Sequence, residues 1–147
     1  MRVVLDTNIL VSACWKPGGL EAQVAALAIT GQITACVSTD ILAEYHDVLS
    51  RPKIAAAGDR AQELLTGLER TAMRVEPSAK ITESIDDDDN RFLECAATAR
   101  ADFLITGNLR HYPAKFAAPH GTIRIVNART FLTEAIPTTR VEAIPLK

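Results

Sequence analysis

The fold is decided by the stretch Val3-Val4-Leu5-Asp6-Thr7-Asn8, in which a continuous apolar run ends in three polar residues. A strand that is buried on both faces gives such a run, and strands of parallel sheets are buried in this way. We therefore expect a central strand of a parallel sheet that ends at Asp6.

Outward from this strand, helical and strand patterns alternate along the chain. Apolar residues at helical spacing predict helices at residues 20–29, 39–50, 59–73 and 90–100. Short apolar runs predict strands at residues 33–37, 73–75, 103–105 and 123–126. Such alternation predicts an α/β fold with a parallel sheet, helices on both faces and right-handed crossovers.

Length, charge and composition limit the kinds of protein that this chain can be. With 147 residues the chain has the size of one domain, which we place at residues 1–136, followed by a tail at 137–147 that we expect to be loose or docked on a partner. The net charge of −2 means that any nucleic-acid contact must come from a local basic cluster. Three widely spaced cysteines and the lack of a long apolar stretch predict a cytoplasmic protein that does not enter a membrane.

Polar residues at the ends of predicted strands are the first candidates for a site, because ligands of open parallel sheets bind outside the carboxyl ends of the strands. Four segments of the chain meet this condition. They are Asp6-Thr7-Asn8, Ser38-Thr39 with the helix bearing Glu44, the acidic run Asp86 to Asp89, and Thr106-Gly107-Asn108. We expect them to meet along one edge of the sheet.

Angles around the predicted helices single out two further carboxylates. At 100° per residue Glu44 lies beside the apolar stripe of its helix, whereas Asp40 and Asp47 point away from it. Asp89 projects on the same side as the buried apolar stripe of the predicted helix at residues 90–100. Asp86 is the second candidate within the acidic run. Each acid also has an ordinary interpretation, as a turn residue, a surface charge or a partner of a helix dipole.

Bringing three carboxylates into one pocket costs free energy, which a bound cation would offset. Each like-charged pair at ~4 Å repels by about 1 kcal/mol in water and about 4 kcal/mol at an effective dielectric constant of 20. Mg²⁺ and Mn²⁺ prefer oxygen ligands, and Mg²⁺ typically takes one or two carboxylates, several waters and a substrate phosphate. Such a site favours hydrolysis of phosphodiester bonds.

Taken in their order and strand context, these residues resemble the PIN domain over Val3 to about Phe131. The likeness is strongest to the toxin components of type II toxin-antitoxin systems, the VapC-like ribonucleases. It is carried by Arg51-Pro52-Lys53, by residues 88–96 and by Thr106-Gly107-Asn108-Leu109-Arg110-His111-Tyr112-Pro113. The resemblance implies a three-layer α/β/α sandwich, RNA cleavage with Mg²⁺ or Mn²⁺, homodimers and often a cognate antitoxin.

The same resemblance assigns roles to residues of the chain. It implies Asp6 and Asp89 as metal ligands, Glu44 as a ligand directly or through water, and Asn8 and Thr106 as residues that position the carboxylates or the attacking water. Many PIN domains carry a fourth acid where this chain has Asn108, which disfavours a second metal ion and leaves Asp86 as the nearest compensating acid. For substrate phosphates the candidates are the basic residues Arg51, Lys53, Arg91, Arg110 and Lys115.

Other protein classes fit the sequence less well. A phosphatase of the haloacid dehalogenase type needs a second acid two residues after the first, where Asn8 stands, and a receiver domain needs a lysine soon after the late Thr106. A catalytically degenerate PIN domain that binds RNA or protein stays open, because the position of Asn108 lacks an acid. We therefore expect a metal-dependent endoribonuclease, with this binding module as the alternative.

Overall fold

The strands of the chain form one sheet with β1 at its centre. The computed structural model describes residues 1–78, 80–81 and 89–136. Its strands are β1 (Arg2–Leu5), β2 (Thr34–Val37), β3 (Met73–Arg74), β4 (Phe103–Ile105), β5 (Lys115–Ala118) and β6 (Gly121–Val126). Their order across the sheet is β3-β2-β1-β4-β6-β5.

Strand pairing is parallel at every position except one edge. β1 pairs in parallel with β2, where Val3 faces Ala35, and with β4, where Leu5 faces Ile105. The remaining pairs β2–β3 and β4–β6 are parallel as well. β5 instead runs antiparallel to β6 and forms a hairpin at the edge of the sheet, which the sequence pattern did not predict. The segment is only four residues long, too short for its pattern to separate a strand from a loop.

Helices follow most of the strands. They are α1 (Thr7–Trp15), α2 (Leu20–Ile29), α3 (Thr39–Leu49), α4 (Pro52–Ala55), α5 (Arg60–Thr71), α6 (Asn90–Ala99) and α7 (Ala128–Glu134). A 3₁₀ turn at Leu109–His111 follows β4. Of these helices, α2, α3, α5 and α6 were predicted to within a few residues, whereas α1, α4 and α7 were not. Pro52 opens α4 from a position where its missing N–H costs nothing.

The sheet is covered on both faces. Val3, Val4 and Leu5 are all 0–1% exposed, although successive side chains of a strand point to opposite faces. The buried apolar side chains form one cluster across the described residues, which confirms the three-layer α/β/α sandwich. No helix among the described residues is long and apolar enough to cross a membrane. The predicted tail at 137–147 lies outside the described residues.

Candidate functional site

The centre of the site is Asp6, at the carboxyl end of β1. Its backbone N–H donates to the carbonyl of Ile105 at 2.9 Å, so the ends of β1 and β4 are held side by side. This pairing places Thr106 against Asp6, and the Thr106 hydroxyl donates to Oδ2 of the carboxylate at 2.8 Å. Both residues are buried, with exposures of 4% for Asp6 and 0% for Thr106. The strand ends thus join two residues that are 100 positions apart.

Asn8 ties the loop after β4 to the same carboxylate. Its Nδ2 donates to Oδ2 of Asp6 at 3.2 Å, and its Oδ1 accepts from the backbone N–H of Gly107 at 2.8 Å. A Cβ at position 107 would lie 3.2 Å from that Oδ1, so a larger residue there would displace the Asn8 amide by a few tenths of an ångström. The backbone N–H of Asn108 donates to the Thr106 hydroxyl at 2.9 Å. The segment 106–108 is therefore fixed by hydrogen bonds to its own residues and to Asn8.

Burial raises the pKa of the Asp6 carboxyl above its ordinary value of 3.8. The negative charge of Asp89 raises this pKa as well, while the hydrogen bonds from Thr106 and Tyr112 and from the Thr7 backbone lower it. Because desolvation dominates, the ionised form of Asp6 is under-compensated by the protein. A nearby cation would relieve this cost.

Glu44 projects from α3 toward the same region, as its helical angle predicted. Its side chain is 22% exposed, whereas Asp47 on the outer face is 72% exposed. The hydroxyl of Thr7 donates to Oε2 of Glu44, and Nη1 of Arg91 lies 3.4 Å from Oε1. Thr7 follows Asp6 directly, so α1 connects the two acids.

Asp89 lies immediately before α6, with a side chain that is 15% exposed. Nδ1 of His111 lies 2.8 Å from Oδ2 of Asp89, so the imidazole donates to the carboxylate. The amide of Asn108 lies 3.2 Å from Nε2 of the same imidazole. Asn108 is therefore linked to Asp89 through His111. The other candidate of the acidic run, Asp86, lies outside the described residues.

Tyr112 and His111 contact the candidate acids, yet sequence reasoning gave neither of them a role. The Tyr112 hydroxyl donates to Oδ2 of Asp6 at 3.1 Å, and the residue is 8% exposed. His111 ends the 3₁₀ turn after β4 and Tyr112 follows it, in a segment where no periodic pattern fixes the direction of a side chain. Their presence in a polar segment downstream of Thr106 was the one available signal.

The predicted phosphate-binding residues occupy two regions. Arg51 and Arg91 line a cavity of about 510 Å³ together with Glu44, Asp47 and Asp89. Arg51 is also paired with Asp47 at 3.1 Å. Of the others, Lys53 and Arg110 are exposed, and Lys115 lines a separate cavity beside Arg124 on the β5–β6 hairpin.

The donor set fits a divalent cation held largely by water. Among the described residues, no three Asp, Glu, His or Cys side chains are grouped closely enough to enclose a metal ion. Mg²⁺ needs only one or two carboxylates, and its ligands are oxygens of the kind that Asp6, Glu44 and Asp89 supply. The raised pKa of Asp6 and the nearby charge of Asp89 point to the same site.

Comparisons with known proteins identify a family, a sequence relative and a solved structure of similar fold. The family described as PIN domain matches residues 2–110. An uncharacterized protein from Methanocaldococcus jannaschii is 28% identical over 111 residues, which cover 74% of this chain and 71% of that protein. A chain in the crystal structure of VapBC2 from Rickettsia felis, bound to a DNA fragment from their promoter, is similar with a TM-score of 0.53. It is 21% identical, and the match covers 85% of this chain and 98% of that one, which shows a shared fold.

Proposed function

Because the chain belongs to the PIN domain family, whose members are generally nucleases that use divalent metals, we propose that it is a metal-dependent endoribonuclease. The observation that carries this proposal is the Asp6 carboxylate. It is buried at a strand end, it lies within the field of Asp89, and its charge is under-compensated by the protein. Mg²⁺ or Mn²⁺ is the cofactor that suits these oxygen ligands.

Asp6 and Asp89 would hold the cation, with Glu44 as a ligand directly or through water and Asp86 and Asn108 as further candidates. A bound ion of this kind activates water and neutralises charge on a scissile phosphate. The protein would contribute side chains that orient these acids. Thr106 and Asn8 fix the Asp6 carboxylate, while the Thr7 hydroxyl fixes Glu44.

A single cation suits this site better than two. Asn108 stands where many PIN domains have an acid, and its amide faces His111, which itself donates to Asp89. A neutral amide adds no charge to attract a second ion. The position of Asn108 also favours the second candidate function, a degenerate PIN domain that binds RNA or protein without hydrolysis.

RNA is the substrate we propose, bound through its phosphates. Arg51 and Arg91 line the cavity that Glu44 and Asp89 share, which places positive charge next to the acids. Since the chain carries a net charge of −2, this local cluster would supply the attraction to the backbone. Three further basic residues would extend the contact, namely Lys53, Arg110 and Lys115.

We also propose that the protein acts in the cytoplasm as the toxin of a toxin-antitoxin pair, as a homodimer inhibited by a cognate antitoxin. Support comes from the sequence resemblance to toxin components and from the shared fold with the VapBC2 chain. A small DNA-binding protein encoded in the neighbouring reading frame would strengthen this proposal. An isolated gene without such a neighbour would weaken it.

The test is cleavage of single-stranded RNA by purified protein with Mn²⁺, with chelator, and after Asp6→Asn. The matched control is Asp40→Asn, which removes an exposed acid from the first turn of α3. We expect cleavage only with metal, lost in D6N and kept in D40N, with products that carry a 5′-phosphate and a 3′-hydroxyl. Cleavage that survives chelator or D6N, or a cyclic phosphate end, would contradict the proposal. RNA binding without cleavage would favour the binding module.

A further inference from the structure

The buried hydroxyl of Tyr112 has no part in the function proposed above. Tyr112 follows the 3₁₀ turn at Leu109–His111, and its backbone N–H donates to the Leu109 carbonyl at 3.2 Å. The ring is packed into the core, and its hydroxyl donates a hydrogen bond to Oδ2 of Asp6 at 3.1 Å. A buried tyrosine usually finds some partner for its hydroxyl, so the choice of partner is the informative point.

That partner is an oxygen which already has two other donors. Thr106, Tyr112 and Asn8 donate to Oδ2 of Asp6 at 2.8, 3.1 and 3.2 Å. No side chain in the described ranges 1–78, 80–81 and 89–136 donates to Oδ1 of Asp6. All three side-chain hydrogen bonds to this carboxylate therefore fall on one of its two oxygens.

Tyr112 differs from the other two donors in what it connects. Thr106 directly follows β4 and Asn8 lies in the first turn of α1, just after β1, and the sheet already holds these two strands together. Tyr112 follows the 3₁₀ turn that ends at His111. Its hydrogen bond therefore links this irregular segment to the Asp6 carboxylate. A tyrosine hydroxyl is protonated at physiological pH, so Tyr112 can donate this hydrogen bond.

We propose that Tyr112 is a positioning residue that holds Oδ2 of Asp6 and thereby leaves Oδ1 to bind the divalent cation. This inference rests on the proposed function, because it assumes that Asp6 is a metal ligand. Hydrogen-bond partners of a metal ligand orient it, and their removal typically lowers metal affinity or activity by about 10- to 100-fold. A tyrosine that only fills the core would leave metal affinity unchanged.

The experiment is calorimetric titration of Mn²⁺ into wild type, Tyr112→Phe, Tyr45→Phe and Asp6→Asn. Tyr45 gives a matched control, because it is also buried and its hydroxyl donates to the Leu5 carbonyl at 2.5 Å instead of to a carboxylate. We expect Y112F to weaken Mn²⁺ binding about tenfold, Y45F to leave it unchanged and D6N to abolish it. At saturating Mn²⁺, KM for RNA should be the same in Y112F and wild type, since Tyr112 is placed to contact Asp6.

The possible outcomes distinguish failure of the proposed role of Tyr112 from failure of the proposed metal-dependent function. If Y112F binds Mn²⁺ as tightly as wild type while D6N does not bind it, Tyr112 has no positioning role and the metal site stands. If wild type binds no Mn²⁺, or D6N binds it equally well, both proposals fail. Thr106→Val removes another donor to Oδ2 and gives a second test that is independent of the folding of Y112F. Unchanged Mn²⁺ affinity in T106V would overturn the idea that Oδ2 is the anchored oxygen.

Discussion

Replacing Thr106 by valine removes one hydroxyl and keeps the shape of the side chain. That hydroxyl is fully buried, donates to Oδ2 of Asp6 at 2.8 Å and accepts from the backbone N–H of Asn108 at 2.9 Å. A hydrogen bond to a charged group contributes about 1.5–3 kcal/mol, and an amide left without a partner costs about 1 kcal/mol or more. We therefore expect Thr106→Val to lower the free energy of unfolding by about 2–4 kcal/mol.

Thr106→Ser is the matched variant, because it keeps the hydroxyl and loses a methyl group. Loss of one buried methyl costs about 1 kcal/mol. Urea unfolding of metal-free protein measures both changes, and each kcal/mol should lower Tm by about 2–4 °C in a chain of this size. The prediction is thus a larger loss for valine than for serine. The reverse order would show that Thr106 acts through methyl packing, and the hydrogen-bond argument would fail.

Two further predictions concern Asp6 and its neighbours. Since burial raises the pKa of Asp6, metal-free protein should lose stability as pH rises from about 3.8 through the raised value, and Asp6→Asn should flatten that slope in urea unfolding. Equal slopes in both proteins would contradict this. Gly107→Ala should shift Asn8 by a few tenths of an ångström and reduce RNA cleavage about tenfold with little change in Tm. Gly18→Ala, whose added Cβ meets no atom within 4 Å, is its control and should cleave normally.

The sequence was sufficient to predict the placement of those candidate residues whose positions depend on regular strands and helices. The strand ends placed Asp6 beside Thr106 because parallel strands in register bring their carboxyl ends to one edge. Helical geometry correctly separated Glu44 from the exposed Asp47. The first inference needs only the parallel direction of adjacent strands, and the second needs only the repeat of one helix.

What the sequence did not reveal depends on irregular segments. His111 ends a 3₁₀ turn and Tyr112 follows it, and whether their side chains point inward is settled by tertiary packing. The helix α1 was not predicted, although the polar residues Thr7 and Asn8 that follow the strand form its first turn. The β5–β6 hairpin was missed because one short, half-exposed edge strand has almost no pattern.

The separation along the chain between Asp6 and its partners has a consequence for biosynthesis. Asp6 leaves the ribosome early, while the hydroxyls that hold its carboxylate belong to residues 100 and 106 positions later. Contacts so distant in sequence form late, after most of the intervening chain has been made. A nascent chain that ends before β4 therefore carries Asp6 without these two partners, and translation must pass the codon for Tyr112 before both hydrogen bonds to Asp6 can form.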